Sequence, residues 1–312
     1  MARFQMQVPI GISQGGRPAA ACEITPEGVV AGATPAAGQA AVYAAETVPA
    51  FSVAPGLLEG NLMDSPAISA AIRAALGQVQ PRVRSVTVVV PDSAVRVFVL
   101  DFDTLPTRLD EALPVLRFRL RKSVPFDVEQ AGISYQVLSE GSSRLETQWK
   151  VLAAIIPGPV LAEYEGVVRA AGYEPGVVLP ASLAALSALS TMDSQEAVLA
   201  ANLSARSLTT SIVSGNDILL YRTVELPLEP DAQKVEVQRS IAVAAAFFED
   251  KLQVRPHRVL CSGVLSAREF AELVDDPALA VGEVVVRPEV GMASVLGRLS
   301  VAGVTGALVG TN

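Results

Sequence analysis

The stretch AANLSARSLTTSIVSGNDILLYRTVELP, Ala200 to Pro227, has the pattern of a β-hairpin preceded by a short polar loop. Its two apolar-rich runs, LTTSIV and ILLYRTV, are separated by Ser-Gly-Asn-Asp at 214–217. Glycine, asparagine and aspartate between two alternating runs are typical of a hairpin turn. The loop before the hairpin, at 202–207, contains neither a carboxylate nor a glycine. The stretch therefore raises the question of whether this loop binds phosphate.

The composition is that of a folded protein large enough for two domains. Of the 312 residues, 50% are hydrophobic and 18% are charged, a balance that favours a packed core over disorder. The many alanines and valines do not form a run of about 20 apolar residues, which a membrane-spanning helix would need. The net charge of -8 argues against nucleic acid as a partner, because phosphate backbones are bound by clustered lysines and arginines.

The cysteines and the N-terminus point to a reducing compartment. Cys22 and Cys261 lie in separate apolar runs without the spacing of a metal site, which fits the cytoplasm. Residues 1–18 lack the long apolar core of a signal peptide, and we predict a flexible arm there. The sequence contains no Ser-His-Asp or Cys-His arrangement, metal cluster or Walker loop, so we expect no catalytic residue and no metal site.

Each half of the chain begins with a run of strands and then alternates helix and strand. In the first half the strands AACEI, GVVAGA and AVYAAETV precede a helix at Ser65–Gln78, with Ser65 as its N-cap and Pro66 next. The second half begins near Glu196 and repeats the order, with the opening hairpin followed by the helix VEVQRSIAVAAAFFEDKL and the strand RVLCSG. Periodicity alone predicts a two-domain α/β protein, and the repeated βββαβα order is the layout of the actin-like fold.

A helix with one buried stripe is predicted from about Leu109 to Val124, with a break or late start near Pro114. Its segment RFRLRK, at 117–122, carries four cations. These cations form either a solvated helix face or a basic surface beside a partner groove or anionic lipid headgroups.

The run VPFDVEQAGISYQVL, at 124–138, resembles the PilM family of actin-like type IV pilus assembly proteins. The resemblance rests on a Pro-Phe dipeptide at the helix end, an acidic spacer and a strand reading Tyr-Gln-Val. The order of elements also fits from about Ala19 to Gly310. The resemblance implies a ribonuclease H-like, duplicated βββαβα fold with an inserted small α+β subdomain and a missing or reduced lid on the second domain.

The same resemblance implies domain boundaries. Residues 1–18 would form the arm, and 19–91 with 174–194 the first actin-like subdomain. Residues 92–173 would form the inserted subdomain and 195–298 the second actin-like subdomain. Residues 299–312 would form a C-terminal helix that returns to the first subdomain.

The nucleotide-binding positions of the family are degenerate in this sequence. Two family hairpins begin Asp-x-Gly, but here Glu23 and Thr25 stand at the first hairpin, and Asn202 and Ser204 at the second. The adenosine loop keeps one glycine, Gly263. Only residues 228–234 separate the second hairpin from the next helix, which leaves no room for a lid. We therefore expect no cofactor and no hydrolysis, and ATP with Mg²⁺ only under the alternative of a working ATPase with Glu23 as its metal-facing acid.

The resemblance also implies a function and a partner. Members are cytoplasmic scaffolds that bind the N-terminal tail of an inner-membrane protein, PilN, and are held at the membrane through it; the pilus motor and other platform proteins are further expected partners. The candidate partner-binding residues are Arg117, Arg121, Phe126 and Tyr135. A component of a type II secretion platform related to GspL is the other alternative.

Overall fold

The computed structural model describes residues 3–4, 17–35, 39–139, 149–189, 196–215, 217–287 and 299–309. Most of the predicted arm, the hairpin residue Asn216 and the last residues of the predicted C-terminal segment lie outside these ranges. The described residues form three β-sheets. In the described part of the chain, no helix is both long and apolar enough to cross a membrane.

The first sheet has the strand order β1-β9-β5-β2-β3-β4. Its strands are β1 (Arg3–Phe4), β2 (Ala20–Thr25), β3 (Gly28–Ala33), β4 (Val42–Thr47), β5 (Ser85–Val90) and β9 (Glu174–Pro180). The first three long strands, β2 to β4, form an antiparallel meander. The strand β2 also pairs with β5, and β5 with β9, in parallel. Parallel strands are buried on both faces, and Val86, Val88, Val89 and Val90 in β5 are all fully buried.

The second sheet repeats this topology. Its order is β12-β11-β10-β13-β14, from β10 (Val198–Leu203), β11 (Ser207–Ser214), β12 (Asp217–Glu225), β13 (Arg258–Gly263) and β14 (Ala280–Glu283). Again a meander is followed by strands that pair in parallel, β10 with β13 and β13 with β14. The order β4-β3-β2-β5-β9 thus recurs as β12-β11-β10-β13-β14. The prediction of a duplicated actin-like fold is confirmed.

A small antiparallel sheet lies between β5 and β9 in the chain, with the order β6-β8-β7. It consists of β6 (Arg96–Phe102), β7 (Gly132–Ser139) and β8 (Trp149–Ile156) and packs against α2 (Leu109–Leu120). The predicted break at Pro114 is wrong, because the helix begins before this proline and continues past it. The helix ends at Leu120 rather than Val124, since a residue that precedes proline, here Val124 before Pro125, avoids helical backbone.

The remaining helices cover the two larger sheets. They are α1 (Ser65–Val79), α3 (Gly158–Ala170), α4 (Ala181–Leu189), α5 (Pro230–Leu252), α6 (Ala267–Val274) and α7 (Ala302–Leu308). The N-cap of α1 is Asp64, whose Oδ1 accepts the Ala67 N–H at 3.0 Å. Ser65 is instead the first helical residue. The helix α5 starts soon after β12, so the second half has no lid between these elements.

The C-terminal helix α7 packs against α4 and the first sheet. A Cβ on Gly306 would lie 1.7 Å from the carbonyl oxygen of Ala184, so only glycine permits this approach of the two helices. On the other side, Tyr43 and Thr305 share a hydrogen bond of 2.8 Å. The buried Arg17 donates to the Gly306 carbonyl at 3.0 Å. In the first turn of α7, Gly303 lies against the side chain of Glu23 in β2.

Candidate functional site

The candidate site is the cleft between the two halves. The β2–β3 turn, the β10–β11 turn, the ends of β5 and β13 and the residues before α7 all line it. The positions that the sequence singled out as a degenerate nucleotide site all belong to this lining: Glu23, Thr25, Asn202, Ser204 and Gly263. The cavity volume is only about 40 Å³, whereas ligand pockets typically hold roughly 300 to 1,000 Å³.

The β2–β3 turn is closed by the hydroxyl of Thr25. Its Oγ1 accepts the N–H groups of Glu27 at 3.3 Å and of Gly28 at 3.2 Å. The same hydroxyl donates to the Gly28 carbonyl at 3.0 Å. The intervening residue, Pro26, has no N–H. Because a phosphate-binding turn must direct such N–H groups at its ligand, this turn has little left to offer a phosphate.

The β10–β11 turn is closed in the same way by Ser204. Its Oγ accepts the N–H groups of Arg206 at 3.4 Å and of Ser207 at 3.0 Å. The hydroxyl also lies 3.2 Å from the Ser207 carbonyl, to which it donates. The polar loop at 202–207 thus satisfies the N–H groups of Arg206 and Ser207 with its own serine hydroxyl.

The third loop, after β13, is held by an arginine that sequence reasoning missed. Arg287 Nη2 donates to the carbonyl oxygens of Gly263 at 2.9 Å and Leu265 at 2.5 Å. Its Nε donates to Glu283 at 3.2 Å in a largely buried ion pair. Gly263 itself has φ +103°, and a Cβ there would come within 1.9 Å of the Leu203 carbonyl oxygen. This glycine is therefore required for contact between neighbouring strands.

Asp92 is the central polar residue of the cleft, although it was predicted only as the first residue of the inserted subdomain. It lies two residues after the end of β5 and is 5% exposed. Its Oδ1 accepts the N–H and the hydroxyl of Ser182, at 3.0 and 2.9 Å. Its Oδ2 accepts Asn202 Nδ2 and Thr209 Oγ1, both at 2.9 Å. Ser182 belongs to the first half and the other two to the second, so one carboxylate links both halves.

The linkage extends further into the second sheet. Asn202 Oδ1 accepts the hydroxyl of Ser262 in β13 at 2.9 Å. The hydroxyls of Ser182 and Tyr221 are in direct hydrogen-bond contact. Burial, followed by the charge of Asp92, raises the pKa of Tyr221, which therefore stays neutral. A signal for Asp92 was present in the sequence, because ligand sites in α/β sheets lie beyond the carboxyl ends of buried strands.

Glu23 is a buried carboxyl group that forms no ion pair with any described residue. It is 9% exposed, and its Oε2 has no hydrogen-bond partner among the described residues. The backbone of α7 presses against it, since a Cβ on Gly303 would lie 2.4 Å from Oε2. Burial, then the charges of Asp92 and Glu27, raises the pKa of Glu23 to about 8. A protonated carboxyl is a poor metal ligand, and the described residues contain no cluster of three or more metal-binding side chains.

The four candidate partner-binding residues lie in the small-sheet region, and the described lining of the cleft includes none of them. The guanidinium of Arg117 points inward and donates to the carbonyl oxygens of Val128 and Ala131. Arg121 forms an exposed ion pair with Glu129 at 2.6 Å. Phe126 and Tyr135 are half-buried against the core of the small sheet, and partial burial raises the pKa of Tyr135.

Comparison with solved structures identifies the same architecture elsewhere. The chain is similar to one from the PilM-PilN type IV pilus biogenesis complex, with TM-score 0.72, 18% identity, and coverage of 94% of this chain and 98% of that one. A Bacteroides thetaiotaomicron protein with an actin-like ATPase fold and unknown function gives TM-score 0.52 at 9% identity, with 95% and 99% covered. The cytoplasmic domain of EpsL, an inner membrane component of the Vibrio cholerae type II secretion system, gives 0.47 at 15% identity, with 89% and 92% covered.

The amino-acid sequence by itself matches no family model, and a comparison with curated proteins finds no match. The likeness to the first two structures, at 18% and 9% identity, shows that the chain has the actin-like fold.

Proposed function

We propose that this protein is a PilM-like actin-fold scaffold of a type IV pilus or a related secretion machine, and that it works in the cytoplasm without nucleotide. The observation that carries the proposal is the likeness to a chain of the PilM-PilN complex, which extends over nearly the whole of both chains. The net charge of -8 is consistent with a protein partner rather than a nucleic acid.

The closed turns support function without nucleotide. The two hydroxyl groups of Thr25 and Ser204 accept N–H groups that phosphate would need, and the cleft volume of about 40 Å³ leaves no room for an adenosine phosphate. Binding would require breaking these hydrogen bonds and opening the cleft. Both changes disfavour the nucleotide complex.

The hydrogen bonds of Asp92 with Ser182, Asn202 and Thr209 form what we call the Asp92 network. This network links the two halves, as a bound nucleotide would otherwise do. Four donors from both halves converge on one buried carboxylate. Hydrogen bonds to a charged group contribute roughly 1.5 to 3 kcal/mol each. A scaffold needs one fixed relationship between its halves, and this network favours a single closed arrangement.

For the partner, we propose the extended N-terminal tail of an inner-membrane protein of the PilN kind, through which the scaffold is held at the membrane. The outer edge of the first sheet accepts an extended segment, since Arg3–Phe4 pairs there in parallel with Val177–Val178. This strand also lies near β7 of the small sheet. Addition of a strand to a sheet edge is a common mode of peptide recognition.

The experiment is calorimetric titration with synthetic peptides for the N-terminal tails of inner-membrane proteins encoded beside this gene. We expect one of them to bind, and to bind more tightly to a chain that lacks residues 1–16, because β1 would no longer compete for the sheet edge. Saturable binding of Mg-ATP together with no peptide binding would contradict the proposal and favour the ATPase.

The ATPase remains the second candidate for one reason. All the positions predicted from the nucleotide-binding hairpins converge on a single cleft. Under this alternative, Glu23 would be the metal-facing acid, and substitution of either Glu23 or Asn202 by alanine would abolish nucleotide binding.

A further inference from the structure

The outer face of α2 combines an exposed aromatic side chain with a cluster of cations. Phe118 is 77% exposed, although it lies in a helix whose opposite face is fully buried through Ala112, Leu116 and Leu120. Residues three and four places apart lie on one helix face. Pro114, one turn before Phe118, and Arg121 and Lys122, one turn after, therefore share its face, and all are exposed.

Helical geometry continues far enough to place Arg121 one turn after the ring. Arg121 has φ -52° and ψ -35°, which is helical backbone. Its ion pair with Glu129 is itself on the surface, with the two side chains 60% and 56% exposed. Arg119, on the adjoining side of the helix, is exposed as well. We call Phe118, Arg119, Arg121 and Lys122 the basic aromatic face.

We propose that the basic aromatic face rests on an anionic membrane surface, with Phe118 entering the headgroup region. The inference is independent of the proposed function. Its carrying observation is charge complementarity, because residues 117–122 contain four cations and no acid in a chain whose net charge is -8. Charges farther apart than about 10 Å are screened at physiological salt, so a membrane would respond to this cluster rather than to the net charge.

The helix dipole explains the position of the cations only. Cations near a helix C-terminus interact favourably with the helix dipole, and the acidic Asp110 and Glu111 occupy the first turn as the same effect predicts. It does not account for an aromatic ring at the centre of the solvent face. An apolar side chain flanked by cations on the exposed side of a helix is the composition of an interfacial membrane contact.

The contact should be weak and reversible. One aromatic ring and three exposed cations provide less than the two strong signals that stable membrane anchoring requires. Because Glu111, seven residues before Phe118, lies on the same side of α2, contact requires the C-terminal end of the helix to be tilted toward the lipid.

Co-sedimentation of the full chain with vesicles tests the proposal. We expect measurable partition onto vesicles of phosphatidylcholine with about 30% phosphatidylglycerol, little onto phosphatidylcholine alone, and loss at about 0.5 M salt. Because each cation contributes roughly fivefold to partition, Arg119→Glu with Lys122→Glu should lower it at least about 25-fold, and Phe118→Ser should lower it severalfold.

Matched control variants distinguish an effect of the basic aromatic face from effects of net charge and of an exposed aromatic ring elsewhere. Arg82→Glu with Arg258→Glu changes the net charge equally at exposed sites elsewhere, and Phe51→Ser removes a 91% exposed phenylalanine; neither should alter partition by more than about twofold. The chain has one tryptophan, so a Trp149→Phe, Phe118→Trp variant should show a blue shift of emission with anionic vesicles.

Three outcomes would overturn the proposal. They are equal partition onto both kinds of vesicle, an equal loss in the control variants, and absence of any partition together with unshifted emission. The last of these would assign the basic aromatic face to a protein partner instead.

Discussion

Thr25 and Ser204 occupy equivalent positions in the two halves, and each hydroxyl accepts the N–H of the residue three places on, at 3.2 Å from Gly28 and 3.0 Å from Ser207. The equivalence follows from strand register, since Glu23 pairs with Val30 as Asn202 pairs with Thr209. Both turns thus close by the same local chemistry. In each turn the hydroxyl stands where the family hairpins carry glycine. It accepts the turn's N–H groups in place of a bound phosphate.

We expect Thr25→Val to destabilise the protein by about 1 to 2 kcal/mol, because two N–H donors lose their acceptor while the side-chain volume is kept. Thr25→Ser, which retains the hydroxyl, should cost less than half of this. The free energy of unfolding in urea measures the difference. Equal losses for valine and serine would show that the hydroxyl does not hold the turn.

The Asp92 network should be the most sensitive polar element of the cleft. Asp92→Ala leaves four donors unsatisfied, and we expect a loss of at least about 3 kcal/mol in the free energy of unfolding. Asp92→Asn should be intermediate, because its amide group can accept on one side only. Asp250→Ala, at an exposed carboxylate, serves as the control and should change stability by less than about 0.5 kcal/mol.

The raised pKa of Glu23 predicts how the stability of the protein changes with pH. Its pKa in the folded protein is about 8, against an ordinary 4.5. The unfolded chain therefore releases this proton first as pH rises, so the contribution of Glu23 to stability decreases from about pH 4.5 to about pH 8. Between about pH 5.5 and 7.5 this decrease amounts to roughly 2 to 3 kcal/mol.

Urea unfolding of wild type and Glu23→Gln across this range measures the effect. The variant stays neutral, so its stability advantage over wild type should grow as pH rises. A constant difference between wild type and Glu23→Gln would mean that Glu23 is ionised in the folded state.

The two candidate arginines of α2 should behave differently. Arg117→Met removes donors to the Val128 and Ala131 carbonyls and should cost about 1 to 3 kcal/mol. Arg121→Met removes only an exposed ion pair and should cost less than about 1 kcal/mol. Unfolding monitored through Trp149, in the small sheet, reports both. Partner affinity is then best tested with Arg121→Met, since any loss in the Arg117 variant could come from the fold.

The sequence predicted those features that local pattern determines. Alternating apolar runs and turn residues predicted the two meanders. Comparison with the family's Asp-x-Gly hairpins selected positions that line one cleft in the structure. The sequence did not reveal that Asp92 bonds to Thr209 or that Arg287 holds the loop at Gly263, because these contacts join distant parts of the chain. The prediction of a break at Pro114 was wrong because packing of Ala112, Leu116 and Leu120 against the small sheet outweighs a single missing hydrogen bond.

Whether the cleft binds nucleotide is the central question, and calorimetric titration of the full chain with Mg-ATP answers it most directly. With the turn donors occupied and the cleft closed, we expect no saturable heat up to the low millimolar range, since each lost 1.4 kcal/mol lowers affinity tenfold. Saturable binding with Kd below about 0.1 mM that disappears in Asn202→Ala would contradict a scaffold that works without nucleotide.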